Sequence, residues 1–158
     1  MRAVVLGSDG ERSSAIRVEA GGSVRPIDEL VHQEGAHFLR IHDGAAVFSS
    51  AVEGMTRASQ RALDSSGTSH IDVHRWIPHQ ANSRILDRVG RRLGIEESRW
   101  VTTLETWGNS SAASLPTALS IAAGRGELDA GDSVLLSAVG AGMVEAAAVV
   151  EWTAGGRS

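Results

Sequence analysis

Residues Trp76–Leu86 read WIPHQANSRIL, and the order of residue types in this stretch decides the fold. The run that leads into it, "VHRWIP" from Val73 to Pro78, is β-branched and aromatic, and proline ends it, as expected of a strand. Asn82 is a side-chain acceptor suited to cap a helix, whose apolar face is Ile85, Leu86, Val89 and Leu93 and which Gly94 closes. His79 thus falls at a strand-to-helix turn, at the carboxyl end of a strand, where open α/β sheets place ligands and catalytic groups.

The same alternation extends in both directions. Upstream, "RAVVLG" and "AIRVEA" are short strand-like runs joined by the polar "SDGERSS", which predicts a hairpin or adjacent strands. The pattern from Gly21 to Ile41 is weak and reads as a loop available to other protein. Asp43 then caps a helix of about five turns carrying Val47, Phe48, Ala51, Val52, Met55, Ala58 and Ala62 on one face, and "SSGTSH" breaks it. Downstream, "RWVTTLET" reads as a strand, and "WGNSSAAS" leads into a helix through "LPTALSIAAG", where Pro116 is tolerable only in the first turn. The runs "DSVLLSAV" and "MVEAAAVVEW", joined by Gly140-Ala141-Gly142, read as central strands of a sheet covered on both faces. Strands alternating with helices predict one α/β domain over residues 1–158, a mixed sheet with helices on both faces.

Composition narrows the function. With 42% apolar and 22% charged residues among 158, the chain reads as an ordinary globular domain, and its six aromatics require an aliphatic, alanine-rich core. All 15 basic residues are arginine, which we read as the codon bias of a GC-rich genome. A net charge of −4 gives no basic footprint for nucleic acid. The sequence contains no cysteine, so it brings neither a disulfide, a thiolate metal site, nor a thiol nucleophile. The opening apolar run is too short for a signal peptide, and the most apolar segment, Ser133 to Val150, is interrupted by Glu145 and two glycines, so no membrane span is expected and a cytoplasmic protein is.

Three features invite a chemical reading, and each has a bland alternative. His79 can donate, accept or shuttle a proton near neutral pH, or it can simply be satisfied by backbone at a turn. Asn109, between Gly108 and Ser110, can aim an N–H at a developing oxyanion, or serve as a plain helix cap. Gly140-Ala141-Gly142 can let a ligand carbonyl approach a backbone N–H, or mark a bulge or tight crossing. "GAGMVE" is not a dinucleotide fingerprint, because Glu145 occupies the third glycine position and too little chain follows. His70, His74 and His79 are not expected to hold a metal, since the spacing of the first two needs a helix where the sequence reads turn and strand. Arg84, Arg88, Arg91 and Arg92 make one basic helix face, either solvated or suited to phosphate and carboxylate. No GxSxG elbow anchors a serine hydrolase.

Jointly, "PHQAN" at Pro78 to Asn82, "GNSSAAS" at Gly108 to Ser114 and the "GAG" turn resemble the carboxyl-terminal half of β-ketoacyl-acyl carrier protein synthase III, a thiolase-fold condensing enzyme. Order and spacing agree with that family, including the 30 residues that separate His79 from Asn109. The resemblance runs from "IHDGAAVF" to the end, and residues 1–20 resemble the end of the family's first half. It implies a Cys-His-Asn site in which cysteine takes an acyl group from acyl-CoA, and His and Asn stabilise the enolate left when malonyl-acyl carrier protein loses carbon dioxide. By that resemblance His79 and Asn109 are catalytic and the Ala141 N–H, flanked by Gly140 and Gly142, helps form the oxyanion hole. Ala81 and Ile85 line the pantetheine tunnel, Asn82 supports the site and Phe48 faces the acyl channel. Arg84, Arg91 and Arg92 meet the phosphates of CoA or the acidic carrier protein. No resident cofactor is implied, only acyl-CoA and carrier-protein phosphopantetheine as substrates.

Two departures accompany the resemblance. The family commonly carries an aromatic residue and three glycines where this chain has Val139-Gly140-Ala141-Gly142, which leaves pocket shape and acyl preference open. The family's cysteine lies in its first half, outside these residues. The sequence therefore predicts a split ketosynthase of fatty acid or polyketide biosynthesis, a hetero-oligomer with a cysteine-bearing partner chain. The alternatives are a non-catalytic fragment or scaffold subunit and a same-fold acyltransferase that performs no condensation.

Overall fold

The computed structural model describes residues 1–154. The chain runs β1 (Ala3–Ser8), β2 (Ile16–Val18), α1 (Glu29–Glu34), β3 (Leu39–Ile41), α2 (Gly44–Ser66), β4 (Arg75–Pro78), α3 (Ser83–Leu93), α4 (Leu104–Trp107), α5 (Ser114–Gly124), β5 (Ser133–Gly140) and β6 (Val144–Glu151). Four strands form a mixed sheet in the order β1-β6-β5-β4, with β4 and β5 parallel and the other pairs antiparallel. Strands β2 and β3 form a separate two-stranded ribbon. No helix among the described residues is long and apolar enough to cross a membrane.

Local chemistry sets the helix limits. The Asp43 carboxylate accepts from Ala46 N at 2.9 Å and starts α2, while Asn82 Oδ1 accepts from Ile85 N at 2.9 Å and starts α3. Gly94, in the left-handed conformation, ends α3. The sheet's period of two then sorts the core. On one face Trp76, Leu135, Ala147 and Val149 pack under Val52, Met55 and Ala58 of α2 and Val89 of α3. On the other, Ile77 and Val134 pack against Ala118 and Ala122 of α5 and against Leu128.

Several expectations are corrected. The two N-terminal runs do not form a hairpin: β1 joins β6 in the main sheet and β2 pairs with β3 in the ribbon. The segment from Gly21 to Ile41 is not a featureless loop, because Asp28 caps α1 through Val31 N and Gly35 terminates it. "RWVTTLET" is not a strand. It makes a single bridge, Trp76 to Trp100, before turning into α4. The sheet is also covered unevenly, since α5 shields β4 and β5 while Val4 and Leu6 of β1 and Val144 of β6 stay exposed on the same face.

Two close approaches lock α2 and α3 onto the sheet. Glu145 is buried, and its carboxylate accepts from Arg57 Nε at 2.9 Å and from Arg57 Nη2. Gly54 and Gly7 leave room for that carboxylate, because a Cβ on either would sit within 2.8 Å of one of its oxygens. Trp76 meets Trp100 edge to face at 5.4 Å, and a Cβ on Gly90 would lie 2.1 Å from the Trp100 ring. Gly90→Ala therefore overpacks the α3 contact and is expected to lower stability by about 1–3 kcal/mol or more in urea unfolding. Trp100→Leu in the Gly90→Ala background should recover part of that loss, and a Gly90→Ala chain as stable as the parent would contradict the contact.

Candidate active site

His79 owes its place to sheet pairing. Its backbone N–H donates to Ser137 O at 2.7 Å, carrying the β4–β5 ladder one residue beyond Pro78. Its ring is half-buried, and Nδ1 lies 2.6 Å from the hydroxyl of Ser114, the first residue of α5. Burial pushes the His79 pKa below its ordinary value, so the ring is neutral at neutral pH.

Gln80 turns inward, with its side chain fully buried. Its Nε2 donates to Pro78 O at 2.8 Å and to Val101 O at 3.2 Å, its Oε1 accepts from Thr103 N at 2.9 Å, and its backbone N–H donates to Ser114 Oγ at 3.2 Å. This one residue ties the end of β4 to the 101–103 segment and to α5, the elements that carry His79 and lead to Asn109.

Asn109 is neither a plain cap nor a free side chain. Its Oδ1 accepts from Ser111 N at 2.9 Å, and Ser111 adopts the left-handed region with φ 55° to make that turn. With the oxygen so engaged the amide nitrogen faces the other way, toward Ala81 O at 3.4 Å, with its second N–H uncommitted and the residue lining the same space as His79.

That space is a cavity of about 760 Å³. His79, Ala81, Asn82, Ile85, Asn109, Gly140 and Ala141 all line it, so the fold brings residues far apart in sequence together. Apart from Ser111 its remaining wall is apolar and includes Ile16, Leu39 and Ile41 from the ribbon. A neutral imidazole and an oriented amide in such a wall can donate hydrogen bonds to an oxygen that gains negative charge.

Other predicted residues fall elsewhere. Phe48 does not line this cavity; it borders an adjoining depression of about 410 Å³ with Val47, Asn82, Arg84 and Ile85. Gly142 shares the β5–β6 turn but is not part of the cavity wall. Arg91 and Arg92 border a third recess, near Thr68 and His70 at the far end of α3, and Arg91 is paired with Asp87 at 2.7 Å. The four arginines are all exposed along α3, with Arg84 beside the cavity and Arg91 and Arg92 toward the far end of the helix. Sequence reasoning missed Gln80 and Ser114, although both sit inside the quoted motifs. Their roles come from burial, which only tertiary packing decides.

The family model for the C-terminal region of 3-oxoacyl-[acyl-carrier-protein (ACP)] synthase III matches residues 63–152. The chain is 42% identical over 147 residues to a 3-oxopimeloyl-[acyl-carrier-protein] synthase of Rhodothermus marinus, covering 93% of this chain and 42% of that protein. It is 40% identical over 151 residues to a beta-ketoacyl-[acyl-carrier-protein] synthase III of Roseiflexus castenholzii, covering 96% of this chain and 46% of that protein. Its fold superposes on the crystal structure of the 3-oxoacyl-(acyl carrier protein) synthase III of Pseudomonas aeruginosa with a TM-score of 0.84 at 33% identity, over 98% of this chain and 44% of that one. The chain thus spans less than half the length of these relatives, and its α/β architecture is that of a thiolase-like half.

The lowered His79 pKa has a consequence for stability. The unfolded chain binds a proton at this residue at higher pH than the folded chain does, so the folded state loses stability as pH falls below about 6.5, the ordinary histidine value. That loss ends once pH drops beneath the folded pKa. Urea midpoints measured between about pH 8 and 5 should therefore fall more steeply for the parent than for His79→Gln. Parallel curves would show that His79 titrates normally.

Proposed function

The chain belongs to the 3-oxoacyl-[acyl-carrier-protein] synthase III family, and on that premise we propose that it is the His-Asn part of a decarboxylating condensing enzyme. The observation that carries this reading is the convergence of His79, Asn109 and the Gly140-Ala141 turn on one cavity. In the proposed reaction the thioester oxygen of a malonyl-acyl carrier protein accepts hydrogen bonds from His79 and Asn109. As the bond to the carboxylate breaks, carbon dioxide leaves and its electron pair becomes an enolate, whose charge those donors stabilise. The enolate carbon then attacks an acyl-cysteine thioester, the Ala141 N–H donates to the developing oxyanion, and the cysteine thiolate departs from a 3-oxoacyl product. Asn109 favours condensation over simple acyl transfer, because only the former has an enolate to stabilise.

These 158 residues contain no cysteine, so the acyl-carrying thiolate of the proposed reaction comes from outside them; in the split-enzyme reading a partner chain supplies it together with the other half of the fold. Ala81 and Ile85 would flank the pantetheine arm delivered by CoA or the carrier protein, Asn82 would hold the start of α3 beside it, and the depression with Phe48 and Arg84 would continue that path outward. Arg84 is exposed and has no ion pair among the described residues, which suits a phosphate or an acidic carrier protein; Arg91 and Arg92 would contribute at longer range, where charge speeds encounter more than it adds affinity.

Native mass spectrometry of the chain purified from its source is expected to reveal a stoichiometric, cysteine-containing companion that gains acyl mass from acyl-CoA. In that complex His79→Ala and Asn109→Ala should each reduce carbon dioxide release from malonyl-acyl carrier protein by roughly 10²-fold or more. Full activity in both variants, or a chain that runs alone, would overturn the reading.

A further inference from the structure

The hydrogen bonds around Ser114 decide which nitrogen of His79 carries the proton. Ser114 is 1% exposed, so each of its polar groups must find a partner inside the protein. Its oxygen receives the backbone N–H of Gln80 at 3.2 Å, and a peptide N–H can only donate. The Ser114 hydroxyl proton then needs an acceptor, and among the described residues the one within reach is His79 Nδ1 at 2.6 Å. With the reverse tautomer, Nδ1–H would donate into an oxygen already receiving the Gln80 N–H, and the buried hydroxyl proton would have nowhere to go, at the cost of an unsatisfied donor.

We propose that Ser114 is a positioning residue that holds neutral His79 in its Nε2–H form, with Nδ1 as acceptor and the Nε2–H left to donate into the cavity. The proposal deepens the reading of His79 as a donor to a thioester oxygen and rests on it for its functional meaning. A ring free to exchange tautomers would present a lone pair to that oxygen for part of the time and repel it. The Gln80 clamp supplies the fixed point: its side-chain amide is anchored at three places, so its backbone N–H cannot turn away from Ser114. Burial of His79 acts in the same direction by keeping the ring neutral.

Long-range proton–nitrogen correlation spectra of the chain labelled with ¹⁵N-histidine, with any companion still bound, read the tautomer directly. At about pH 8, above the ordinary histidine range, the His79 pattern, identified by its loss in His79→Gln, is expected to show protonation at Nε2 alone. Ser114→Ala should populate both tautomers, and Ser114→Thr, which keeps the hydroxyl, should restore the single form. A parent protein protonated at Nδ1, or a folded Ser114→Ala chain whose His79 pattern is unchanged, would overturn the proposal. If Ser114→Ala does not fold, the parent and Ser114→Thr spectra decide alone. Since no substrate is needed, an Nε2–H ring in a chain inactive toward malonyl-acyl carrier protein would sink the condensing reading and leave the positioning role standing, and the opposite pair of results would do the reverse.

Discussion

The arrangement depends on burying one primary amide. Gln80 has two N–H donors and an acceptor oxygen with no access to water, and leaving any of them unpaired would cost about 1–3 kcal/mol. All are met, by Pro78 and Val101 carbonyls and by the Thr103 N–H. Satisfying them forces the chain after β4 to turn inward and forces the 101–103 segment alongside. The same residue's backbone N–H then draws the start of α5 to within hydrogen-bond distance of His79. Site geometry is thus a by-product of a packing constraint, and a substitution at Gln80 would disturb the fold and the site together.

That constraint also explains what the sequence concealed. Val101, Thr102 and Thr103 have the β-branched character of a strand, but the Thr103 N–H that a ladder would pair is taken by the Gln80 side chain, and only the Val101 N–H reaches a strand, at Trp76 O. A side chain 23 residues away cancels the local preference, and no periodicity reports it. The hairpin expected between β1 and β2 fails likewise. The register that wins is with β6, where Val5 turns toward α2 and the buried Glu145 faces Arg57.

What was legible was local. Asp43, Asn82 and Gly94 act within a few residues of themselves, and each caps or closes the helix expected of it. "DELVHQEG" from Asp28 to Gly35 holds the same two signals, a carboxylate cap and a closing glycine, yet its apolar content is too low to show a buried face, and only Val31 of the helix is buried. The convergence of His79 and Asn109 was legible only through the family resemblance, whereas the distance of Arg91 and Arg92 from the cavity was not, because it follows from where the cavity lies relative to α3.

The uneven cover of the sheet ties stability to chemistry. Hydrogen-bond donors aimed at a developing charge are far more effective where water is excluded, yet Asn109 is exposed and the cavity is partly open. The apolar strip left bare by α5 includes Leu6 and Val144, and a shallow hollow beside them shares Ala138 and Val144 with the cavity wall. A body that covers the strip therefore reaches the edge of the cavity. The hydrophobic drive to hide Val4, Leu6 and Val144 and the electrostatic need of the proposed reaction for a dry site thus act on adjoining surfaces.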